Sequence, residues 1–204
     1  MKIPMEQRGI GREHILALME RIIKGDIDAF EKILELYQKR LFKIAFRMVG
    51  SLEDARDILQ EAFMKIFKNI RKLKAVREPY PYFCQITINV CRDWLKKEKR
   101  NHIPLAENSN FSKDGERGSY SNPEFLIYQR ERGKILMESL DNLTDRERTA
   151  ICLRDLEELK TKEVALILGC SQATVRSHIA SARVKIKDYL SANYPELKGE
   201  ANEV

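Results

Sequence analysis

Residues 160–190 read KTKEVALILGCSQATVRSHIASARVKIKDYL, and this stretch decides what the chain is built to be. Val164, Ala165, Ile167 and Leu168 give a short helix one apolar side. Gly169 follows, where a helix end needs a residue that tolerates positive φ. Ser171 can then cap a second helix, whose buried stripe is Val175, Ile179, Ala182 and Ile186. Its other positions include Gln172, Thr174, Arg176, Ser177, His178, Ser181, Arg183, Lys185 and Lys187, with no acid between Ser171 and Lys187. A short helix, a glycine turn and a polar, basic helix make a helix-turn-helix, whose second helix can lie in a DNA major groove. The same pattern also suits an ordinary helical hairpin with a solvated basic face.

Composition sets the frame around this motif. With 204 residues, 43% hydrophobic and 33% charged, the chain can bury a core in one domain or two small ones. Its net charge is +6, and residues 71–100 alone hold nine Lys/Arg against three acids, a local excess of six. Such clustering points to a polyanionic partner. Cys84, Cys91, Cys152 and Cys170 form no C-x-x-C pair, and His14, His102 and His178 are scattered, so neither a zinc site nor a disulfide framework is expected. No metal and no cofactor is expected. Reduced thiols, no signal peptide and no apolar run near the roughly 20 residues that span a bilayer predict a cytoplasmic protein.

Along the chain, residues 12–23 can form a helix ended by Gly25, and Asp26 can cap a longer one running to Gly50. Ser51 with Asp54 resembles a capping box for the next helix, whose apolar positions run from Ala55 to Ile70 in steps of three and four. That helix starts acidic and ends basic, an order that already suits the helix dipole. Pro79 and Pro81 interrupt, and a further helix is expected from Pro81, with Phe83, Ile86, Thr87, Val90 and Trp94 inward. Tyr80, Tyr82 and Phe83 stand near Lys96, Lys97, Lys99 and Arg100, equipment for stacking unpaired bases beside a phosphate backbone, although core or helix-entry packing is the favoured account of the rings from these residues alone. Ten of the 18 residues 106–123 are Gly, Ser, Asn or Pro, which predicts a flexible linker. Helix resumes near Glu124, and Thr144 with Glu147 forms another capping box. No strand pattern occurs. The expectation is an all-α fold: an extension over 1–25, a helical domain over 26–103, a linker over 104–124, a second domain over 125–192 and a tail over 193–204.

With these residues in view, the chain resembles a short, extracytoplasmic-function bacterial sigma factor. Residues 55–63, ARDILQEAF, are similar to the family's helix that docks on the clamp of core RNA polymerase, which assigns that role to Asp57, Gln60, Glu61 and Phe63. Residues 86–93, ITINVCRD, are similar to the helix that meets the −10 promoter element. The resemblance, with the aromatic and basic neighbours, assigns Tyr82, Phe83, Asn89, Arg92, Lys96 and Lys97 there. The helix-turn-helix looks like the family's −35 reader, implying DNA contacts from Ser171, Gln172, Thr174, Arg176, Ser177, His178, Ser181 and Arg183. Five positions depart from the pattern: Tyr82 in place of Trp, Glu158 of a common Gly, Lys160 of a Ser cap, and His178 and Ser181 where Arg is frequent. The resemblance implies core RNA polymerase as partner (the clamp of the largest subunit, the flap of the second-largest), promoter DNA and an anti-sigma factor. The competing class is a dimeric helix-turn-helix regulator that binds an operator without polymerase. An enzyme is disfavoured, because Asp54, Asp57 and Glu61 share a solvent face with no His, Gly-rich loop or metal-ligand pattern.

Overall fold

The computed structural model describes residues 12–69, 78–101 and 123–195. Among these there are eight α-helices and no strand: α1 Arg12–Ile23, α2 Ile27–Val49, α3 Leu52–Lys68, α4 Pro79–Asn101, α5 Pro123–Asp141, α6 Asp145–Ile151, α7 Thr161–Leu168 and α8 Gln172–Asn193. A π-helical turn, Cys152–Leu156, continues α6. The expected linker lies outside the described residues except for its last two, which open α5. The expected start of the N-terminal extension, before Arg12, lies outside them as well.

The helix ends follow the local chemistry. The Asp26 carboxylate accepts from the Ala29 N–H at 3.0 Å, and the Ser51 hydroxyl from the Asp54 N–H at 3.3 Å. Gly50 closes α2 at φ 81°, a conformation that an L side chain rarely adopts. α4 begins at Pro79, two residues before the expected start at Pro81. Both prolines then fall in the first turn, where the missing N–H would have had no helical acceptor. Thr144 and Glu147 make the full reciprocal box that their spacing predicts.

α2, α3 and α4 pack around one core. α2 contributes Phe30, Ile33, Tyr37, Leu41, Ile44, Ala45 and Met48, and α3 contributes Ala55, Ile58, Ala62 and Ile66. From α4 come Phe83, Cys84, Ile88, Val90 and Cys91, and α1 adds Leu18, Met19 and Ile22. Leu140, Leu143, Ile151, Cys152 and Ala182 form a smaller core where α5, α6 and α8 meet.

The two helical units do not stand apart. Leu153, Leu159, Val164, Ile167, Leu168, Val175 and Ile179 of the second unit belong to the same buried cluster as α1–α4, with α7 against α4. At this joint the Glu157 carboxylate, 5% exposed, accepts from Arg40 Nε (3.0 Å), Arg47 Nη1 (2.9 Å) and the Tyr80 hydroxyl (2.6 Å). Arg40 also donates to the Glu157 carbonyl at 3.0 Å, and its guanidinium lies 3.8 Å from the centre of the Tyr80 ring. Nearby, Arg148 Nε donates to the Arg47 carbonyl at 2.6 Å. Its Nη2 sits 3.0 Å from Asp141 yet is buried without a well-aligned hydrogen bond.

Next in sequence, Glu158 takes the left-handed conformation at φ 58°, alone among the described non-glycine residues. Glycine adopts that conformation without cost, whereas a side chain there costs on the order of 1–2 kcal/mol. Glu158→Gly is therefore expected to raise stability by about 1 kcal/mol, seen as an increase of roughly 2–4 °C in Tm by calorimetry.

Candidate functional site

Three helix faces carry the residues singled out above. On α3, Asp57, Gln60 and Glu61 are exposed and lie within ~100° of one another at 3.6 residues per turn. Glu61 spends part of its charge on Lys65, 2.8 Å away one turn on. Phe63 is half-buried against the core, so it steadies this face rather than standing out from it. Met64 falls in the middle of the face, three residues after Glu61 and four after Gln60, and is 54% exposed. No motif in the sequence singles out Met64, although its helical position places it among the acids. Phe67, 49% exposed, extends the apolar part and packs on Phe30 with ring centres 5.1 Å apart.

On α4, Tyr82, Asn89, Arg92 and Lys96 share a stripe about 80° wide, with Lys97 beside it. Asn89, Lys96 and Lys97 are exposed, and Tyr82 and Arg92 half-buried. Phe83 departs from expectation. It is 1% exposed, edge-on to Tyr37 at 5.7 Å, and so is core rather than a platform for an unpaired base. Tyr80 is likewise enclosed, stacked on Tyr37 at 5.1 Å. Burial, with Arg146 nearby, lowers the pKa of the Arg92 guanidinium. Arg146 and Asp145, at the start of α6, are thus within electrostatic reach of Arg92.

The helix-turn-helix has the geometry its residues predict. Gly169 is left-handed at φ 63°, and the Cys170 N–H reaches back to the Ala165 carbonyl at 3.1 Å. α7 starts at Thr161 after Lys160, which supplies no side-chain cap. Instead the Glu163 carboxylate accepts the Lys160 N–H at 2.7 Å. Ser171 Oγ accepts the Thr174 N–H at 3.0 Å and lies 2.8 Å from the Thr174 hydroxyl, so both hydroxyls are engaged in starting α8.

The eight expected −35 residues do not share one face of α8. Gln172, Arg176 and Arg183 lie along one flank of its exposed side, and Thr174, His178 and Ser181 along the other, with Ser177 between them. Gln172, Arg176 and Ser177 are exposed, and Arg176 has no ion-pair partner among the described residues. His178 is half-buried. Ser181 and Arg183 already have partners. The Ser181 hydroxyl donates to Glu147 at 2.5 Å, and Arg183 holds Asp155 with two bonds of 3.0 Å.

Glu147 is the post on which α8 is hung. It is 6% exposed and accepts from the Thr144 N–H and hydroxyl (both 2.9 Å), from Ser181, and from Lys185 (2.8 and 3.0 Å). Burial alone would raise its pKa, but the bonds from Lys185, Ser181 and Thr144 outweigh it and hold the carboxyl at about 2, below the ordinary 4.5. Desolvation pushes the buried thiols the other way: Cys84 and Cys91 to about 12, Cys152 to about 11. Among the described residues no cluster of His, Cys, Asp and Glu could hold a metal ion. No helix among them is long and apolar enough to cross a membrane.

An acidic-apolar face on one helical unit, a polar-basic face beside it and a helix-turn-helix on a second unit suit a protein that meets another protein and DNA together. The Sigma-70 region 2 family matches residues 33–101, and the Sigma-70, region 4 family matches residues 133–186. The chain is 32% identical to the ECF RNA polymerase sigma-E factor of Escherichia coli K12 over 173 residues, covering 83% of this chain and 90% of the relative. It is 31% identical to that of Haemophilus influenzae over 176 residues, covering 84% and 93%. Two solved structures share the fold. CnrH in complex with the cytosolic domain of CnrY has a TM-score of 0.65 and 19% identity, covering 87% of this chain and 97% of that one. The sigma factor RpoE in complex with the anti-sigma factor NepR from Bartonella quintana has a TM-score of 0.63 and 20% identity, covering 80% and 98%. The chain therefore belongs to the ECF family of RNA polymerase sigma factors. As a sigma factor, it binds core polymerase and directs promoter recognition.

The Glu147 cluster yields a pH dependence with a definite sign. Its folded pKa is depressed, so its contribution to stability is complete above about 4.5 and is lost as pH falls toward about 2. Glu147→Gln, which lacks the charge at every pH, is expected to be less stable than wild type at pH 7. The two denaturation curves should converge as the pH approaches 2.

Proposed function

We propose that the three faces divide the work of initiation. Asp57, Gln60 and Glu61, with Met64 among them, dock on the clamp of core polymerase, and Phe63 braces that surface. Tyr82, Asn89, Arg92, Lys96 and Lys97 hold the opened −10 strand. Unpairing and extruding a base costs a few kcal/mol, which an aromatic edge, an amide and flanking cations can offset. Gln172, Arg176 and Ser177 read the −35 duplex, and the second unit also meets the polymerase flap. Arg176 suits the bidentate pairing that a guanine edge offers, worth about 1–3 kcal/mol of discrimination. Ser171 and Thr174 serve the recognition helix by starting it. Ser181 and Arg183 aim it through Glu147 and Asp155, and His178 lines its half-buried flank. The protein acts in the cytoplasm, has no catalytic role of its own, and is held in check by an anti-sigma factor that competes for these faces.

The observation that carries this reading is the order of two family matches, region 2 then region 4, on one chain whose docking and reading faces are both exposed. The test is run-off transcription with bacterial core polymerase on fragmented genomic DNA, followed by sequencing of the 5′ ends. Discrete new start sites with shared −10 and −35 elements are expected. Met64→Glu should reduce binding to core at least tenfold. Arg176→Ala should bind core normally yet lose start-site preference at one −35 position. Failure of the wild-type chain to bind core would overturn the proposal and favour a free-standing operator-binding regulator.

A further inference from the structure

We propose that Glu157 is an interdomain latch: it holds the second unit down on the first in the free chain, and it must let go before one chain can engage both promoter elements. Every side-chain hydrogen bond of Glu157 reaches the other unit, to partners 77 to 117 residues away in sequence. Two guanidiniums and a phenol converge on one carboxylate, so this is a built site whose occupant is part of the same chain. Arg40 lies over the Tyr80 ring while it binds Glu157, which fixes both groups in one geometry.

The closed arrangement conflicts with simultaneous promoter engagement. Elements numbered −10 and −35 lie 25 base pairs apart, or ~85 Å along B-form DNA. Here α7 packs on α4, and α8 starts only four residues after α7 ends. A recognition helix of 22 residues, ~33 Å long, cannot span that separation from a start beside the −10 helix. Arg92 of the −10 stripe is half-buried, with Arg146 and Asp145 of the second unit within electrostatic reach.

The latch is also releasable. A cleft of about 440 Å³ opens between the two units, lined by Tyr37, Arg40, Tyr80, Glu157 and Lys160, so water can reach the charged groups as they part. The sign of the charges adds a second argument. Once Glu157 leaves, Arg40 and Arg47 stay on the first unit as cations that water can solvate, which offsets part of the cost of parting the apolar contacts of Leu153, Leu159 and Val164 beside them.

Closure itself does not depend on the proposed division of roles; its consequence for promoter binding does. The test is small-angle X-ray scattering on the full chain, with circular dichroism to check helicity and titration with core polymerase to read function. Wild type is expected to be compact. Glu157→Ala and, from the opposite side, the double variant Arg40→Leu with Arg47→Leu should each keep their helicity and show a radius of gyration larger by several ångströms. Glu147→Gln, confined to the second unit, should stay compact. Opening should tighten binding to core several-fold, because the competent form no longer has to be drawn from a minor population. If both opening variants remain compact and helical, the latch is wrong. If Glu157→Ala alone loses helicity, the arginine variant decides, expanded for and compact against. Loss of helicity in every variant would assign Glu157 to the fold itself and overturn the proposal. Opening without tighter binding would overturn its functional half, and failure of every form to bind core would count against the sigma role while leaving the scattering result intact.

Discussion

One carboxylate sets how the two halves of this molecule are joined. Glu157 is nearly enclosed, and taking it, Arg40 and Arg47 out of water has a large desolvation cost that their attraction only partly offsets. Replacing such a cluster with apolar side chains of equal volume is often neutral, whereas removing one partner costs about 3–5 kcal/mol, because the others remain buried and unmatched. The cluster therefore contributes less to net affinity than to geometry. While its bonds hold, it fixes α2 and α4 against the turn before α7. The apolar contacts beside it, Leu153, Leu159 and Val164 against the first core, supply the attraction that the charges orient.

The recognition helix shows a second division of labour. Its polar residues look alike in sequence, yet Lys185 and Ser181 turn inward to Glu147 and Arg183 reaches Asp155. These contacts fix the rotation of α8 about its own axis, which decides which edge of the helix faces solvent. Gln172, Arg176 and Ser177 stay exposed and take no part in these contacts. Ser181 is a short hydroxyl bonded to a carboxylate, so it serves the orientation of the helix.

Much of this was legible in the chain. Asp26, Ser51, Thr144 and Ser171 mark helix starts, and Gly25, Gly50 and Gly169 mark ends, because capping and positive φ are local constraints that one residue satisfies. The apolar stripes foretold the cores for the same reason. What was not legible is long-range. Periodicity says that Phe83 lies on a buried face but cannot choose between a core and a base as its cover, and the core won. The Gly- and Ser-rich stretch suggested two independent bodies, whereas the seam between them depends on Arg40 and Glu157 meeting across 117 residues. The bonds of Arg183 to Asp155 and of Ser181 to Glu147 could not be read from the chain, because the partners are distant in sequence and near only in the fold.

The π-helical turn Cys152–Leu156 closes each backbone bond one residue later than an α-helix would; the Glu157 N–H reaches the Cys152 carbonyl at 3.0 Å, five residues back. Relative to a regular helix, everything after it is indexed by one residue, about 100° of rotation. Glu157 meets its arginines in that shifted phase, and Asp155 meets Arg183 within the same turn. Evolution could therefore retune both the joint and the aim of α8 without touching a charged residue. A one-residue deletion within Cys152–Leu156 would turn the following carboxylate away from α2, so the spacing of the chain here carries as much information as its side chains.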